Sequence, residues 1–158
     1  ESLIEQGIKL TKSNIEDGLA ATEWPGRFQI VQQHPLVILD GAHNPAAARE
    51  LVLSIKAYLP SRPQPAVLVI GASGDKDIVG MAEVLIPHFD EVVITRARHP
   101  RSMDVERLSA VFTTCGKAVH RTTNVSDAVA LGIKLAGNGG LVCVTGSLFV
   151  VGEALETV

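Results

Sequence analysis

Asp40 and His43 share one short segment, Leu39-Asp40-Gly41-Ala42-His43-Asn44-Pro45, which follows the apolar run Leu36 to Leu39 and precedes a helical pattern. An Asp that ends a buried strand lies at the carboxyl edge of the sheet, where strand ends and helix N-termini converge and open α/β folds bind ligands. Gly41 permits a tight turn, Asn44 is a helix-capping type, and Pro45 suits a first helical position, which needs no N–H. His43 has no such backbone duty, so the Asp40 and His43 pair calls for a chemical explanation. The plain competing reading is a capped strand-to-helix turn carrying two solvated polar residues.

Three further segments follow apolar runs in the same way. Gly71-Ala72-Ser73-Gly74-Asp75-Lys76-Asp77 has the composition of an anion cradle: glycines let backbone N–H groups approach phosphate or carboxylate, and Lys76 adds charge. A turn with an Asp cap is the simpler reading of it. Arg96, Arg98, His99 and Arg101 form a locally basic loop suited to a carboxylated substrate. Ser147, after the last run, is placed to cap a helix over Leu148 to Leu155. The chain contains neither GxxxxGK[ST] nor GxGxxG, so it signals neither a P-loop nor a dinucleotide fold. His34, His88 and His120 lack metal-ligand spacing, and no metal site is expected.

The elements that must position these residues are legible as alternation. Apolar runs recur at 36–39, 66–70, 92–95, 118–120 and 141–145, with helical stripes between them such as Ala48, Leu51, Val52, Ile55 and Leu59. Strands joined by helices run parallel, with right-handed crossovers, so a doubly wound, Rossmann-like α/β sheet is expected. Residues 28–32 alternate and connect too briefly for a crossover, which predicts an antiparallel edge strand and about six strands in all. Residues 1–22 read as a helix or two outside this unit, and Trp24-Pro25-Gly26 as a linker turn.

Hydrophobic residues are 46% of the chain and aromatics only 4%, which points to a Val, Leu, Ile and Ala core of the kind that buries parallel strands. The net charge of −3 offers nucleic acid no basic surface, and no apolar stretch is long enough for a membrane span. Cys115 and Cys143 lack CxxC spacing and read as reduced structural thiols of a cytoplasmic protein.

With these residues laid out, the chain resembles the carboxyl-terminal domain of folylpolyglutamate synthase and dihydrofolate synthase, of the Mur ligase superfamily. The matching segments are Trp24-Pro25-Gly26-Arg27-Phe28, Leu39 to Pro45, and Gly146-Ser147-Leu148-Phe149-Val150-Val151-Gly152-Glu153. The resemblance implies an ATP-dependent ligase in which a substrate carboxylate becomes an acyl phosphate and the amino group of L-glutamate attacks it. It implies that Arg27 lies near the phosphates of ATP and Asp40 near its ribose. His43, as the catalytic residue, and Ser147 would place glutamate, with Lys76 on a carboxylate as a looser match. It further implies that residues 1–22 are the tail of an N-terminal ATPase domain carrying the P-loop and Mg²⁺ ligands, 23–27 a hinge, and 28–158 the glutamate-binding domain, inactive by itself. The acceptor would be folate or dihydropteroate.

Two other readings stay open on the residues alone. One is a stand-alone nucleotide- or anion-binding regulatory module using the Gly71 to Asp77 loop, and the other is a ligase of the same type for a different amino acid. A purely structural domain with capped turns is the blandest, and predicts that Asp40→Ala and His43→Ala are silent.

Overall fold

The computed structural model describes residues 5–114 and 116–157. Helix α1 (Lys12–Ala20) opens on a capping box between Thr11 and Asn14 and buries none of its residues. Then come β1 (Gln29–Gln33), β2 (Leu36–Leu39), α2 (Pro45–Tyr58), β3 (Ala66–Ile70), α3 (Ile78–Leu85), a 3₁₀ turn (Ile86–His88), β4 (Glu91–Ile94), α4 (Val105–Thr113), β5 (Ala118–Arg121), α5 (Val125–Ala136), β6 (Leu141–Thr145) and α6 (Leu148–Leu155). The six strands form one sheet in the order β1-β2-β6-β3-β4-β5. Only β1 with β2 is antiparallel; the other pairs are parallel.

Because successive strand residues point to opposite faces, the sheet builds two cores. Ile38, Leu68, Ile70, Val92, Ile94 and Cys143 pack with α2, α3 and α4 on one face, through residues such as Leu51, Ile55, Met81, Leu85, Leu108 and Phe112. Val37, Leu39, Val67, Val69, Val142 and Val144 pack with α5 and α6 on the other, against Ala128, Val129, Val150 and Val151. Right-handed crossovers produce this split when the chain steps from β2 through β5 in one direction and then returns to insert β6 between β2 and β3. That return makes a crevice at the carboxyl ends of β2, β6 and β3, since the helices that follow these strands leave to opposite faces.

Three strands differ by one residue from the sequence expectation, β5 by running on to Arg121. Strand β1 starts at Gln29 because Phe28 sits in the left-handed region at φ 44° and belongs to a turn. Strand β4 starts at Glu91, which pairs with Val67 and Ala118 and whose carboxylate lies 2.6 Å from His120 Nε2. Cys143 is fully buried in β6, and desolvation, followed by the nearby Asp40 charge, pushes its thiol pKa far up, so it is a packing residue. Cys115 lies outside the described residues, as do residues 1–4 of the expected N-terminal helical segment. No helix among the described residues is long and apolar enough to cross a membrane.

Candidate functional site

The turn after β2 is built as its residue types require. Asn44 accepts the Ala47 N–H at 2.8 Å and Pro45 opens α2. Asp40 proves to be part of the same construction: one carboxylate oxygen accepts the Ala42 N–H and the other the Phe28 N–H, both at 2.8 Å. The second bond reaches across twelve residues and holds Phe28 in its strained conformation. Gly41 N–H donates to Gly26 O at 2.8 Å, so the 24–28 turn is stitched to the β2 end at two points. Arg27 projects from this turn, exposed, beside a hollow of about 340 Å³ that it shares with Glu23, Trp24, Pro25 and Gln29.

His43 Nδ1 lies 2.8 Å from Gly41 O. A carbonyl only accepts, so Nδ1 carries the proton, and in the neutral ring Nε2 holds the lone pair. His43 borders a cavity of about 240 Å³ together with Ser73, Asp75, Lys76, Arg101 and the Gly146 to Phe149 segment. Three residues singled out from sequence, His43, Lys76 and Ser147, therefore share one cavity, while Arg27 and Asp40 lie outside its lining.

The far wall comes from the loops after β3 and β4, which are tied to each other. Gly74 N–H donates to Arg101 O at 2.9 Å, Met103 N–H to Ala72 O at 2.7 Å, and Ser73 bridges Ser102. Lys76 Nζ lies 3.0 Å from Asp75 Oδ2, and this bond chiefly holds the Asp75 carboxyl below the ordinary carboxylate range. Asp77 caps α3 through the Gly80 N–H at 3.0 Å, as the simpler reading of the Gly71 to Asp77 segment expects, and Lys76 lines the cavity, while the N–H groups of Gly71, Gly74 and Lys76 are spent on Thr145 O, Arg101 O and Ser73 O rather than left for an anion.

The basic loop divides its members. Arg98 turns to α6, 3.5 Å from Glu153 and 3.3 Å from Glu156. Arg101 lines the cavity with its guanidinium 5.6 Å from the Phe149 ring centroid, and His99 stacks on that ring at 3.7 Å. The floor is the β6 end. Gly146 has φ 99°, its N–H donates to Ala42 O at 2.9 Å, and a Cβ there would stand 2.6 Å from Gly71 O, so only glycine lets the strand ends approach this closely. Ser147 follows, nearly buried, its hydroxyl oxygen accepting the Phe149 N–H at 3.2 Å and capping α6. Its own O–H remains available to a ligand at a helix N-terminus. Sequence reasoning had no means of singling out Arg101 from its loop, or Phe149 and Asp75 as wall residues.

A cavity with two cations, a nearly buried hydroxyl and an imidazole lone pair suits a carboxylated amino compound. Residues 26–148 match the family model of the Mur ligase glutamate ligase domain. The chain belongs to that family. Relatives of this Mur ligase domain include a probable bifunctional folylpolyglutamate synthase/dihydropteroate synthase of Halobacterium salinarum, 38% identical over 97% of this chain and 18% of its own length. The dihydrofolate synthase/folylpolyglutamate synthase of Escherichia coli is 35% identical over 99% of this chain and 36% of its own. Among solved structures, E. coli FolC in complex with DHPP and ADP superposes with a TM-score of 0.86 at 33% identity, over 98% of this chain and 36% of that one. The Yersinia pestis bifunctional folylpolyglutamate synthase/dihydrofolate synthase with Mn, AMPPNP and L-glutamate bound gives 0.81 at 32% identity, over 94% and 35%. The chain thus spans between about a fifth and about a third of the length of these relatives.

Proposed function

We propose that this domain holds the incoming amino acid in an ATP-dependent ligase that adds L-glutamate to a folate or dihydropteroate carboxylate. The observation that carries the reading is the cavity at the ends of β2, β6 and β3. It presents two cations, Lys76 and Arg101, and one carboxylate, Asp75. Glutamate carries two carboxylates and one ammonium, the complementary set. Lys76 and Arg101 bind the carboxylates by charge-assisted hydrogen bonds, helped by the Ser147 hydroxyl and the α6 N-terminus. His43, fixed through Nδ1, accepts a proton at Nε2 from the glutamate ammonium, which leaves the nitrogen lone pair free. That lone pair attacks the acyl-phosphate carbon; the C–N bond forms, the C–O bond to phosphate breaks, and inorganic phosphate departs with the electron pair and takes up the second proton that the nitrogen sheds on becoming an amide.

The relatives solved with ADP or AMPPNP support ATP as the phosphoryl source. Arg27 reaches its phosphates from the 24–28 turn, and Asp40, whose oxygens retain acceptor capacity beyond their two backbone bonds, accepts from the ribose. The Mn found with AMPPNP in the Yersinia pestis relative supports a divalent cation beside ATP, and Mg²⁺ is held mainly by an N-terminal ATPase domain. Residues 1–22 are the tail of that domain and 23–27 a hinge that closes the two halves over ATP.

The test is the full-length protein with ATP, Mg²⁺, labelled glutamate, and either dihydropteroate or a reduced folate as acceptor. Product with either acceptor, and none from the 158-residue chain alone, supports the proposal. Product with neither acceptor refutes it, and a GxxxxGK[ST] upstream in the gene is required as well.

A further inference from the structure

The opposite edge of the sheet, where the strands begin, carries a second hollow of about 180 Å³. Its apolar wall is Val52 and Ile55 from the last turns of α2, together with Leu59 and Pro60 just beyond its end. An interior cavity of roughly 150 Å³ is enough for a benzene-sized molecule, so a single ring fits here. The remaining lining is cationic or titratable: Lys56 from α2, Arg62 from the α2 to β3 connection, and His88 from the 3₁₀ turn.

Arg62 is held from behind, donating to the His88 carbonyl oxygen and lying 3.7 Å from Asp90, whose other oxygen accepts the Ala66 N–H. Asp90 is therefore committed to the fold. Lys56 has no ion-pair partner among the described residues. His88 is pushed below the ordinary histidine range, first by burial and then by the charges of Lys56 and Arg62.

We propose that this hollow is a second ligand site, separate from the glutamate cavity, for a small carboxylate with an aromatic or branched apolar body. The body rests on Val52, Ile55, Leu59 and Pro60 and the carboxylate meets Lys56 and Arg62. Nothing in the proposed ligase reaction uses these residues, and the site lies at the sheet edge remote from the carboxyl ends of the strands.

The test is ligand-observed ¹⁹F NMR on the full-length protein with 4-fluorobenzoate as probe and 4-fluorobenzyl alcohol as its uncharged counterpart. Saturable binding of the acid near or below roughly 1 mM is expected, with the alcohol weaker by about tenfold or more. Lys56 is exposed, so Lys56→Met and Lys56→Glu preserve the fold while weakening the acid by about fivefold and more than tenfold, respectively. Excess L-glutamate leaves the probe bound. The proposal is overturned by absence of saturable binding at about 20 mM, by equal binding of the alcohol, by indifference to Lys56→Glu, or by displacement with glutamate.

Discussion

At the scale of single residues, the short 40–44 segment separates support from chemistry. His43 borders the proposed glutamate cavity with Nδ1 spent on Gly41 O, which leaves Nε2 as its unused ring nitrogen. His43→Asn can keep a donor for that carbonyl while removing Nε2. We expect kcat/KM for glutamate to fall by roughly 30-fold or more, equivalent to about 2 kcal/mol of lost transition-state stabilisation, with Tm nearly unchanged. Equal losses in Tm and activity would instead mark His43 as a scaffold residue. Asp40 behaves differently. Asp40→Ala strips the acceptors from the Phe28 and Ala42 N–H groups and is expected to cost about 1–3 kcal/mol in urea unfolding, whatever the ligand. Loss of activity in that variant alone therefore proves nothing about nucleotide contact.

Elements explain why some of this was legible in the sequence and some was not. Caps such as Asn44 and Ser147 use partners two or three residues away, and residue type with local pattern suffices to find them. The interior strands β2, β3, β4 and β6 were equally readable, because strands buried on both faces are largely continuous apolar runs, whereas the edge strand β5 is exposed or half-buried and ends in His120 and Arg121. Asp40 with Phe28, and Arg98 with Glu153 and Glu156, depend on which elements become neighbours after folding, and no local pattern encodes that. Arg98 and Arg101 look alike in sequence, yet the packing of α6 draws one away and leaves the other at the cavity.

The β6 to α6 junction supplies a prediction of its own. Gly146→Ala would force a Cβ onto Gly71 O and a positive φ onto alanine, so we expect a loss of about 1–3 kcal/mol in denaturant unfolding, along with weaker glutamate use because Ser147 shifts. The α4 cap offers a pH test. Asp104 is held below the ordinary carboxylate range, chiefly by the Arg107 N–H and also by Glu106. Its folded pKa is depressed, so its contribution is complete above the unfolded value of about 4 and is lost as pH falls through the folded value. Urea midpoints of the wild type and Asp104→Asn should therefore converge below about pH 4 and differ most near neutrality. A difference that widens with acid would contradict this assignment.

Across the whole molecule, the sheet order inserts β6 between β2 and β3 and so brings three separate loops to one cavity. The exposed Trp24, Leu148 and Phe149 lie beside the Arg27 hollow or the cavity, and the proposed closure of an N-terminal domain would cover them. On this account the domain contributes amino-acid binding and the N-terminal domain contributes the activated carboxylate. The central claim is that Lys76 and Arg101 hold the carboxylates of glutamate, and steady-state kinetics of the full-length protein with Arg101→Met and Lys76→Met tests it most directly. Loss of a charge-assisted contact predicts that each variant raises KM for glutamate by roughly tenfold or more while KM for ATP stays within about twofold. An unchanged KM for glutamate in both variants would contradict the account.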